Sequence, residues 1–277
     1  MNKLFIITSS DDTKSFIYLS NELEKRNINY EIINDLNRPF KITGEEGVFR
    51  LSTGPYYKNI EETLIHYGVK GMITEKQKIE YNKIPCLSEV VLCKKKLEKK
   101  VNEELGGFPV VVKALGKMCG KGVMLIDSII SLYSIITFLI SDDKKFEVKK
   151  FIKHNEQGRL VVLNNEVISS HANIISEKDY RSNYHTDRKR ELRGYDDEVK
   201  KIAINALKAR GSLMGGVDIL INEHGVPYVA EVNSPCNWGI SQSFTGINIA
   251  KKVVDFYFWE SENKSDTFLP NFFMCYL

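Results

Sequence analysis

The sequence predicts an α+β protein with a small α/β domain at its N-terminus. The chain opens with a buried strand, "KLFIITS", a helix, "TKSFIYLSNELEKRN", and a second strand, "NYEIIN". Strands and helices continue after this unit, and two pairs of apolar runs with short polar turns between them, "RLVVL" with "EVISSHANII" and "GGVDILI" with "PYVAEVNS", indicate antiparallel hairpins. Alternating strand and helix followed by antiparallel pairs is typical of an α/β unit joined to α+β structure.

The predicted N-terminal domain covers residues 1–85. Helical spacing of Phe16, Leu19 and Leu23 gives the first helix one apolar face. We expect a second helix over "YKNIEETLIHYGV" and a strand over "KGMIT" to complete a doubly wound unit. Pro85 marks the predicted boundary.

The next predicted unit, residues 86–153, begins with a charged helix, "CKKKLEKKVNEELGG", which the pair Gly106 and Gly107 should end. A strand, "FPVVVKAL", and a glycine-punctuated loop, "GKMCGKG", follow. The strand "VMLI", the helix "SIISLYSIITFLI" and the strand "FEVKKFI" complete the unit.

Residues 154–260 contain the two hairpins, the first with its turn at Asn164 and Asn165, and the helix "DEVKKIAINALKARG" between them. Residues 261–277 form a separate tail that ends in the apolar stretch "TFLPNFFMCYL". This tail either docks on the surface of its own chain or forms a contact between two copies, so a homo-oligomer remains open.

Composition and charge exclude several classes of partner. The net charge of +3 is the small difference between 39 basic and 36 acidic residues, so we expect no nucleic-acid partner. No apolar run approaches the roughly 20 residues that cross a bilayer, and we expect neither a signal peptide nor a membrane partner. The five cysteines lack paired or metal-binding spacing, which together with these features predicts a reduced, cytoplasmic protein.

Two acids stand in the apolar runs of the second hairpin, Asp218 and Glu231. If the turn centres on His224 and Gly225, these two residues lie directly opposite each other, and Asn233 points to the same face. Two carboxylates about 5 Å apart repel each other by about 3 kcal/mol at an effective dielectric constant of 20. A compensating interaction is therefore expected.

Three interpretations of this pair are open. The carboxylates share a proton, or they face solvent and pair with basic side chains, or they hold a cation. Two carboxylates with an amide carbonyl are hard oxygen donors that suit Mg²⁺, an ion that commonly binds phosphate oxygens as well. Mn²⁺ is the alternative cation.

Basic residues that could meet a phosphate occur in two places. Lys113 ends the run "FPVVVK", and Gly120 and Gly122 in the loop after it would let backbone amides approach a phosphate, although a lone lysine at a strand end is more often a solvated edge residue. The spacing does not match a Walker loop. The segment "DYRSNYHTDRKREL" concentrates basic residues, including Arg181 beside Asn183, and it is either a phosphate- or carboxylate-binding segment or a solvated loop.

In order and spacing, "FPVVVKAL", "GKGV", "KKFIK", "GRLVVLNNEVI", "DYRSNYH", "GGVDIL", "AEVNSP" and "TGINIA" resemble the ATP-grasp superfamily, and within it the RimK-like carboxylate-amine ligases. The resemblance spans residues 108–255. It implies two α+β lobes that grip ATP, preceded by a small α/β domain of the pre-ATP-grasp type. The N-terminal part matches only in topology.

The resemblance also implies roles for individual residues. Lys113 would contact the phosphates of ATP, and the loop with Gly120 and Gly122 would close over them. The hinge strand would line the adenine, with four residues assigned to nucleotide binding: Lys149, Lys150, Phe151 and Ile152.

Arg181, Asn183 and Arg159 would act near the transferring phosphoryl group, Arg159 being the arginine of the family's Asp-x-Arg motif. Asp218, Glu231 and Asn233 would ligate Mg²⁺.

The implied reaction is an ATP-dependent ligation in which a carboxylate is phosphorylated and an amine then attacks to form an amide. The substrates would be a small-molecule or peptide carboxylate and an amine, with an amino acid such as glutamate as one candidate. Gln157 replaces the usual aspartate, Lys150 replaces a common acid in the hinge, and "PCNWG" departs from the family where we expect the substrate. The alternative is an inactive or regulatory ATP-binding protein.

Overall fold

The structure is a computed structural model that describes residues 3–8, 11, 13–34, 46–51, 81–116, 120–175, 180–181, 189–262 and 272–273. For residues 46, 257–262 and 272–273 it describes the backbone alone. The predicted helix over "YKNIEETLIHYGV", the predicted strand over "KGMIT" and Asn183 lie outside these ranges.

A parallel sheet forms the N-terminal unit. Its elements are β1 (Lys3–Ile7), α1 (Lys14–Lys25), β2 (Tyr30–Ile33), β3 (Glu46–Arg50) and β12 (Phe272–Phe273), with the strand order β12-β3-β1-β2. Thr13 caps α1 by accepting a hydrogen bond from the amide of Phe16. The sequence did not predict β3. The prediction that the tail docks on its own chain is confirmed for Phe272 and Phe273, which pair with β3.

A small antiparallel sheet with two helices follows, which we call the small lobe. Its elements are α2 (Lys94–Lys100), β4 (Val110–Ala114), β5 (Val123–Ile126), α3 (Ile129–Ser141) and β6 (Phe146–Lys150), with the strand order β5-β4-β6. The helix α2 runs on into a π-helical turn, Val101–Leu105, and ends at Gly106, whose φ of 79° is left-handed. The predicted glycine stop is therefore confirmed.

The large lobe is built on a five-stranded antiparallel sheet of order β11-β10-β7-β8-β9. Its elements are β7 (His154–Leu163), β8 (Glu166–Ile174), β9 (Arg190–Leu192), α4 (Asp197–Ala209), β10 (Met214–Asn222), β11 (Pro227–Asn233), α5 (Gly239–Thr245) and α6 (Ile249–Glu262). Asn164 and Asn165 both have positive φ and join β7 to β8, as the sequence predicted. The short strand β9 was not predicted.

The two faces of the large-lobe sheet have different partners. On one face Leu160, Val217 and Ile219 pack in a core with Ala203 of α4. On the other face, the end of β7 that carries Val161 is equally apolar, and it is covered by a core that includes α1 and α6. The opposite end of this second face is polar and carries the candidate site.

Residues 81–87 run between the sheets of the two lobes. Lys83 forms a bridge with Val229 of β11, and Cys86 forms one with Lys149 of β6. Hydrogen bonds from the amide of Val229 to the carbonyl of Asn82 and from the amide of Leu87 to the carbonyl of Val148 hold this segment in place. Residues 81–87 are thus hydrogen-bonded to a strand of each lobe, β11 in the large lobe and β6 in the small lobe.

Across the helices that the structure describes, none combines the length and the apolar character needed to cross a bilayer.

Candidate active site

The hairpin of β10 and β11 places Asp218 directly opposite Glu231, which confirms the predicted pairing. The assumed turn centre was wrong, because Asn222 bonds to Val226 and the loop between them is centred on His224. An irregularity in the register after Asp218 adds one residue on β11 and restores the pairing. The correct pair thus results from two one-residue differences that compensate.

Asp218 is buried, with 1% of its surface exposed. The Nε of Arg159 lies 2.9 Å from its Oδ1, in an ion pair whose N–H direction is not aligned for a hydrogen bond, and Asn233 donates from Nδ2 to its Oδ2 at 3.3 Å. Burial raises the pKa of the Asp218 carboxyl to about 6; Arg159 opposes this shift and Glu231 adds to it. The repulsion expected from the sequence therefore acts on the buried member of the pair.

Arg159 stands on β7 directly opposite Asp218. Its guanidinium passes over Gly216, where a Cβ atom would collide with Nη1. Gly216 in turn faces Asn233 on the next strand. A residue without a side chain at position 216 therefore leaves the space through which the guanidinium reaches the carboxylate.

Lys113 brings the small lobe to the same place. It lies on β4, and its Nζ is 3.4 Å from Oε2 of Glu231, with 28% and 44% of the two side chains exposed. Lys113 also faces Glu147 across β4 and β6. The lysine thus spans the cleft between the lobes and neutralises the carboxylate that lies closer to solvent.

The loop after β4 has the conformation that its glycines predict. Gly120 and Gly122 have φ values of 72° and 78°, which favour glycine, and Gly122 accepts a hydrogen bond from the amide of Ala114. In the hinge, Lys149 pairs with Glu147 at 2.9 Å and Lys150 is exposed. Nucleotide binding by these residues stays a prediction.

The last two hinge residues make internal contacts. The carbonyl of Ile152 accepts a hydrogen bond from Nδ1 of His154 at 2.6 Å, since a carbonyl oxygen cannot donate. Phe151 packs edge to face on Tyr180, with the ring centroids 6.4 Å apart. Their predicted role beside adenine remains a prediction.

Tyr180 connects the segment with Arg181 to the small lobe. Its hydroxyl accepts from the amide of Leu125 at 2.9 Å and donates to the carbonyl of Val123 at 3.0 Å. These are the free backbone groups of β5, an edge strand of the small-lobe sheet. The guanidinium of Arg181 lies 5.9 Å from the centre of the Tyr180 ring. Sequence reasoning missed Tyr180, although it directly precedes Arg181.

The polar end of the sheet extends beyond the carboxylates. Arg159 faces His171 on β8, and Gln157 faces Asn173 two pairs further along, so all four share the face of Asp218. His171 and Asn173 are 3% and 4% exposed. They were missed, although their spacing in "EVISSHANII" places both on one side of a strand.

We expect His171 to make the protein less stable in mild acid. Burial lowers the pKa of its imidazole from 6.5 to about 4, and the charges of Arg159 and Arg190 contribute. The unfolded chain therefore binds a proton that the folded chain excludes between these values, so stability is intact above about pH 6.5 and falls as the pH is lowered towards 4. Urea unfolding at pH 7 and pH 5 should show a loss of about 2 kcal/mol from this residue.

The His171→Gln variant should lack this part of the loss. His224→Gln, in the exposed hairpin turn, is the matched control and should keep it. An equal pH dependence in wild type and His171→Gln would contradict the assignment.

The donor set near Asp218 fits a hard divalent cation. Asp218 and Glu231 supply carboxylate oxygens, and Asn233, whose Nδ2 donates to Asp218, has its carbonyl oxygen left as a ligand. No three His, Cys, Asp or Glu side chains converge within the described ranges, as expected where the third ligand is an amide. Oxygen ligands of this kind suit Mg²⁺.

A family model, described as the RimK-like ATP-grasp domain, matches residues 73–257. This match covers more than half of the 277-residue chain. The chain belongs to the RimK-like ATP-grasp family. The resemblance that the motifs indicated is confirmed, including its extent across both lobes.

Curated relatives of this RimK-like chain carry ligase names. The chain is 34% identical over 155 residues to "Probable alpha-L-glutamate ligase 1" of Shewanella sp. (strain MR-4), which covers 55% of this chain and 51% of that protein. A "Probable alpha-L-glutamate ligase" of Legionella pneumophila (strain Corby) is 32% identical over 155 residues, and the match again covers 55% of this chain and 51% of that protein. The chain thus spans about half the length of the curated relatives that it matches.

Solved structures confirm the α+β ATP-grasp fold over nearly the whole chain. The ATP-grasp ligase PsnB, complexed with a phosphomimetic variant of its minimal precursor, Mg and ADP, has a TM-score of 0.65 at 14% identity and covers 91% of this chain and 96% of its own. D-Alanine–D-alanine ligase from Bacillus anthracis, complexed with ATP, has a TM-score of 0.58 at 20% identity and covers 91% and 94%. At these identities the likeness concerns the fold.

The structure brings five of the predicted site residues of this RimK-like domain into one cluster, which we call the carboxylate cluster: Lys113, Arg159, Asp218, Glu231 and Asn233. The expectation for "PCNWG" does not hold for Trp238. This side chain is 2% exposed and belongs to the core that includes Phe16 and Leu19 of α1. Its indole is thus enclosed against the N-terminal unit.

Proposed function

We propose that this protein is an ATP- and Mg²⁺-dependent ligase that joins a carboxylate to an amine through an acyl phosphate. The observation that carries the proposal is the carboxylate cluster, in which a cation from each lobe, Lys113 and Arg159, flanks the facing acids Asp218 and Glu231. Acids arranged in this way between two basic side chains suit a metal and the phosphates that it binds.

Asp218, Glu231 and Asn233 are the residues that would hold Mg²⁺. When bound, the ion neutralises phosphate oxygens and so favours attack on the terminal phosphorus. The complex of PsnB with Mg and ADP supports this choice by analogy of fold. Mn²⁺, which also takes oxygen ligands, is the alternative.

The reaction has two steps. A substrate carboxylate oxygen attacks the γ-phosphorus of ATP, the bond to ADP breaks, and an acyl phosphate forms. The amine then attacks the acyl carbon, a C–N bond replaces the C–O bond to phosphate, and one proton leaves the nitrogen. Lys113 and Arg181 would balance the negative charge that moves during the first transfer, and Asn183 and Arg159 would align the groups.

The substrates are proposed as a class. The names of the Shewanella and Legionella relatives point to glutamate, and the complex of PsnB with its precursor makes a peptide carboxylate or amine a second option. The tail segment Phe272–Phe273 pairs with its own sheet, and a homo-oligomer stays a prediction.

The test is release of ADP by the purified protein in Mg²⁺, with mixtures of carboxylates and amines and mass spectrometry of the products. We expect ADP release that needs an acid and an amine together, with a product whose mass equals the sum of both minus water. ATP binding without turnover across a broad panel would instead favour the inactive or regulatory ATP-binding protein.

We expect Tyr180→Phe to reduce turnover while the fold stays intact. The variant loses both hydrogen bonds to β5, so Arg181 is held less firmly and kcat should fall about five- to tenfold, corresponding to the loss of about 1 kcal/mol. Steady-state kinetics and thermal unfolding measure this. Tyr133→Phe on α3 is the control; a decrease in kcat of equal size there would contradict a specific role of Tyr180.

A further inference from the structure

Three buried polar atoms next to the carboxylate cluster have no hydrogen-bond partner in the part of the chain that the structure describes. They are Oε1 of Gln157, Nδ1 of His171 and Oδ1 of Asn173, and each of these residues is no more than 4% exposed. A buried polar atom without a partner costs on the order of 1–3 kcal/mol. Three such atoms on adjacent strands indicate that a ligand supplies the missing partners.

The two amide oxygens call for a hydrogen-bond donor. The side chain of Gln157 is close enough to the carboxylate of Asp218 to lower the pKa of Asp218 by hydrogen bonding. Because that carboxylate can only accept while it is ionised, the amide nitrogen faces it and Oε1 is left as an acceptor. Asn173 lies directly opposite Gln157, so the two side chains start about 5 Å apart. An amine or ammonium group can donate to both oxygens.

A basic side chain, that of Arg190, lies on β9, the strand next to the one that carries Asn173. Arg190 on β9 faces Asn173, its side chain is half-buried, and its arginine fork suits a carboxylate. Neighbouring strands are about 4.8 Å apart. One small molecule that carries an amine and a carboxylate on the same carbon can therefore reach Asn173 and Arg190 together.

Apolar surface borders the same place. Leu192 faces His171 across β8 and β9 and is 67% exposed. The ring of Phe244, on α5, lies 5.5 Å from the ring of His171, and Phe244 is 36% exposed. A charged side chain placed here would lose hydration and gain no partner from Leu192 or Phe244, whereas an apolar side chain would bury surface on both.

We propose that this region, bounded by Gln157, His171, Asn173, Arg190 and by the apolar Leu192 and Phe244, is the amine-substrate pocket, and that it takes a free α-amino acid with an apolar side chain. The inference rests on the proposed ligase function, since the amine at Gln157 and Asn173 would lie next to Asp218 and Arg159. It differs from the glutamate in the names of the relatives, because the second carboxylate of glutamate would meet Leu192 and Phe244.

Binding, measured separately from turnover, tests this pocket. The full chain is saturated with ADP and Mg²⁺ and titrated calorimetrically with L-leucine, L-glutamate, leucinamide and 4-methylpentanoate. We expect leucine to bind at least tenfold more tightly than glutamate. Leucinamide lacks the carboxylate for Arg190 and 4-methylpentanoate lacks the amine for Asn173, so both should bind at least tenfold more weakly than leucine. Tighter binding of glutamate than of leucine would overturn the proposal.

Surface variants test the apolar border. Leu192→Ser should weaken leucine binding about tenfold and leave ADP binding unchanged. Leu213→Ser is the matched control, because Leu213 is also an exposed leucine of the large lobe, at 44%, outside the pocket. Equal effects of the two substitutions on leucine binding would overturn the role of Leu192.

Arg190→Gln tests whether the guanidinium of Arg190 binds the carboxylate of the amino acid. It should weaken leucine but leave leucinamide unaffected, because only leucine carries the carboxylate. Loss of both ligands to the same extent would overturn the role assigned to Arg190.

The outcomes separate this inference from the proposed function. If ADP and Mg²⁺ bind and none of the amino acids does, the pocket is wrong and buried water satisfies the three atoms, while the ligase proposal still stands on ADP release. If ADP itself fails to bind in Mg²⁺, the proposed function fails, and the pocket inference fails with it.

Discussion

Replacing Glu231 with alanine should lower ADP release at saturating Mg²⁺ by at least a hundredfold, on the order of 3 kcal/mol in transition-state stabilisation. The variant loses one of the two carboxylates of the proposed metal site and the partner of Lys113. It should fold normally, because 44% of the Glu231 side chain is exposed and its charge raises the pKa of the buried Asp218. Removing that charge relieves repulsion rather than breaking a buried contact.

Glu223→Ala is the matched control. Glu223 lies in the loop of the same hairpin and pairs with Lys153 at 3.2 Å, with both side chains exposed. This substitution should leave ADP release and thermal unfolding unchanged. Near-normal activity of Glu231→Ala in Mg²⁺, with wild-type ATP affinity, would show that Glu231 is not a metal ligand.

The pairing of Asp218 with Glu231 was predictable because strand alternation and a short turn restrict the register to a few choices. The irregularity in β11 just before Glu231 was not predictable, since no residue type there demands one. The loop centre and the irregularity are each a one-residue difference from the simple hairpin. Pairing inferred from a turn is therefore safe only when such differences compensate, as they do here.

Other features depend on contacts between residues far apart in sequence. Tyr180 contacts Leu125 at a separation of 55 residues, and β12 pairs with β3 from the other end of the chain. Local periodicity carries no information about such partners. By contrast, α1, α3, α4 and the turn at Asn164 and Asn165 follow from spacing, caps and turn residues, and the structure has them where the sequence predicted them.

The departure at Gln157 acquires a physical meaning in the structure. An aspartate at this position would add a third carboxylate next to Asp218, which burial already makes harder to ionise. Glutamine instead donates to Asp218 and leaves a neutral acceptor beside Asn173. The sequence marked this position as unusual, but its neighbour across the sheet, Asn173, is what places it in the proposed amine-substrate pocket.

Replacing Arg159 with alanine should destabilise the protein by about 1–2 kcal/mol near neutral pH, because Asp218, whose pKa is about 6 beside Arg159, would take up a proton rather than stay buried and charged without its partner. Asp218 is 1% exposed and the Arg159 side chain 22%, so water cannot replace the guanidinium fully. The pKa of Asp218 should rise further without its cation. Protons would then compete with Mg²⁺ for Asp218, and ADP release should fall at least a hundredfold.

Arg193→Ala is the control for a surface pair. Nη2 of Arg193 lies 2.7 Å from Oε2 of Glu156, which is on β7 like Arg159. However, 41% of the Arg193 side chain is exposed. Its removal should cost less than about 1 kcal/mol. Urea unfolding of both variants at pH 7 measures the difference, and equal losses would contradict the assignment of Asp218 as a buried charge that depends on Arg159.

The double variant Arg159→Ala with Asp218→Asn separates the stability role of Arg159 from its role in activity. Asparagine removes the buried charge, so the double variant should recover much of the stability that Arg159→Ala loses, with a coupling of about 1 kcal/mol in the mutant cycle. Activity should not recover, because a metal ligand is gone. If stability stays as low as in the single variant, Arg159 acts through packing over Gly216 rather than through the charge of Asp218.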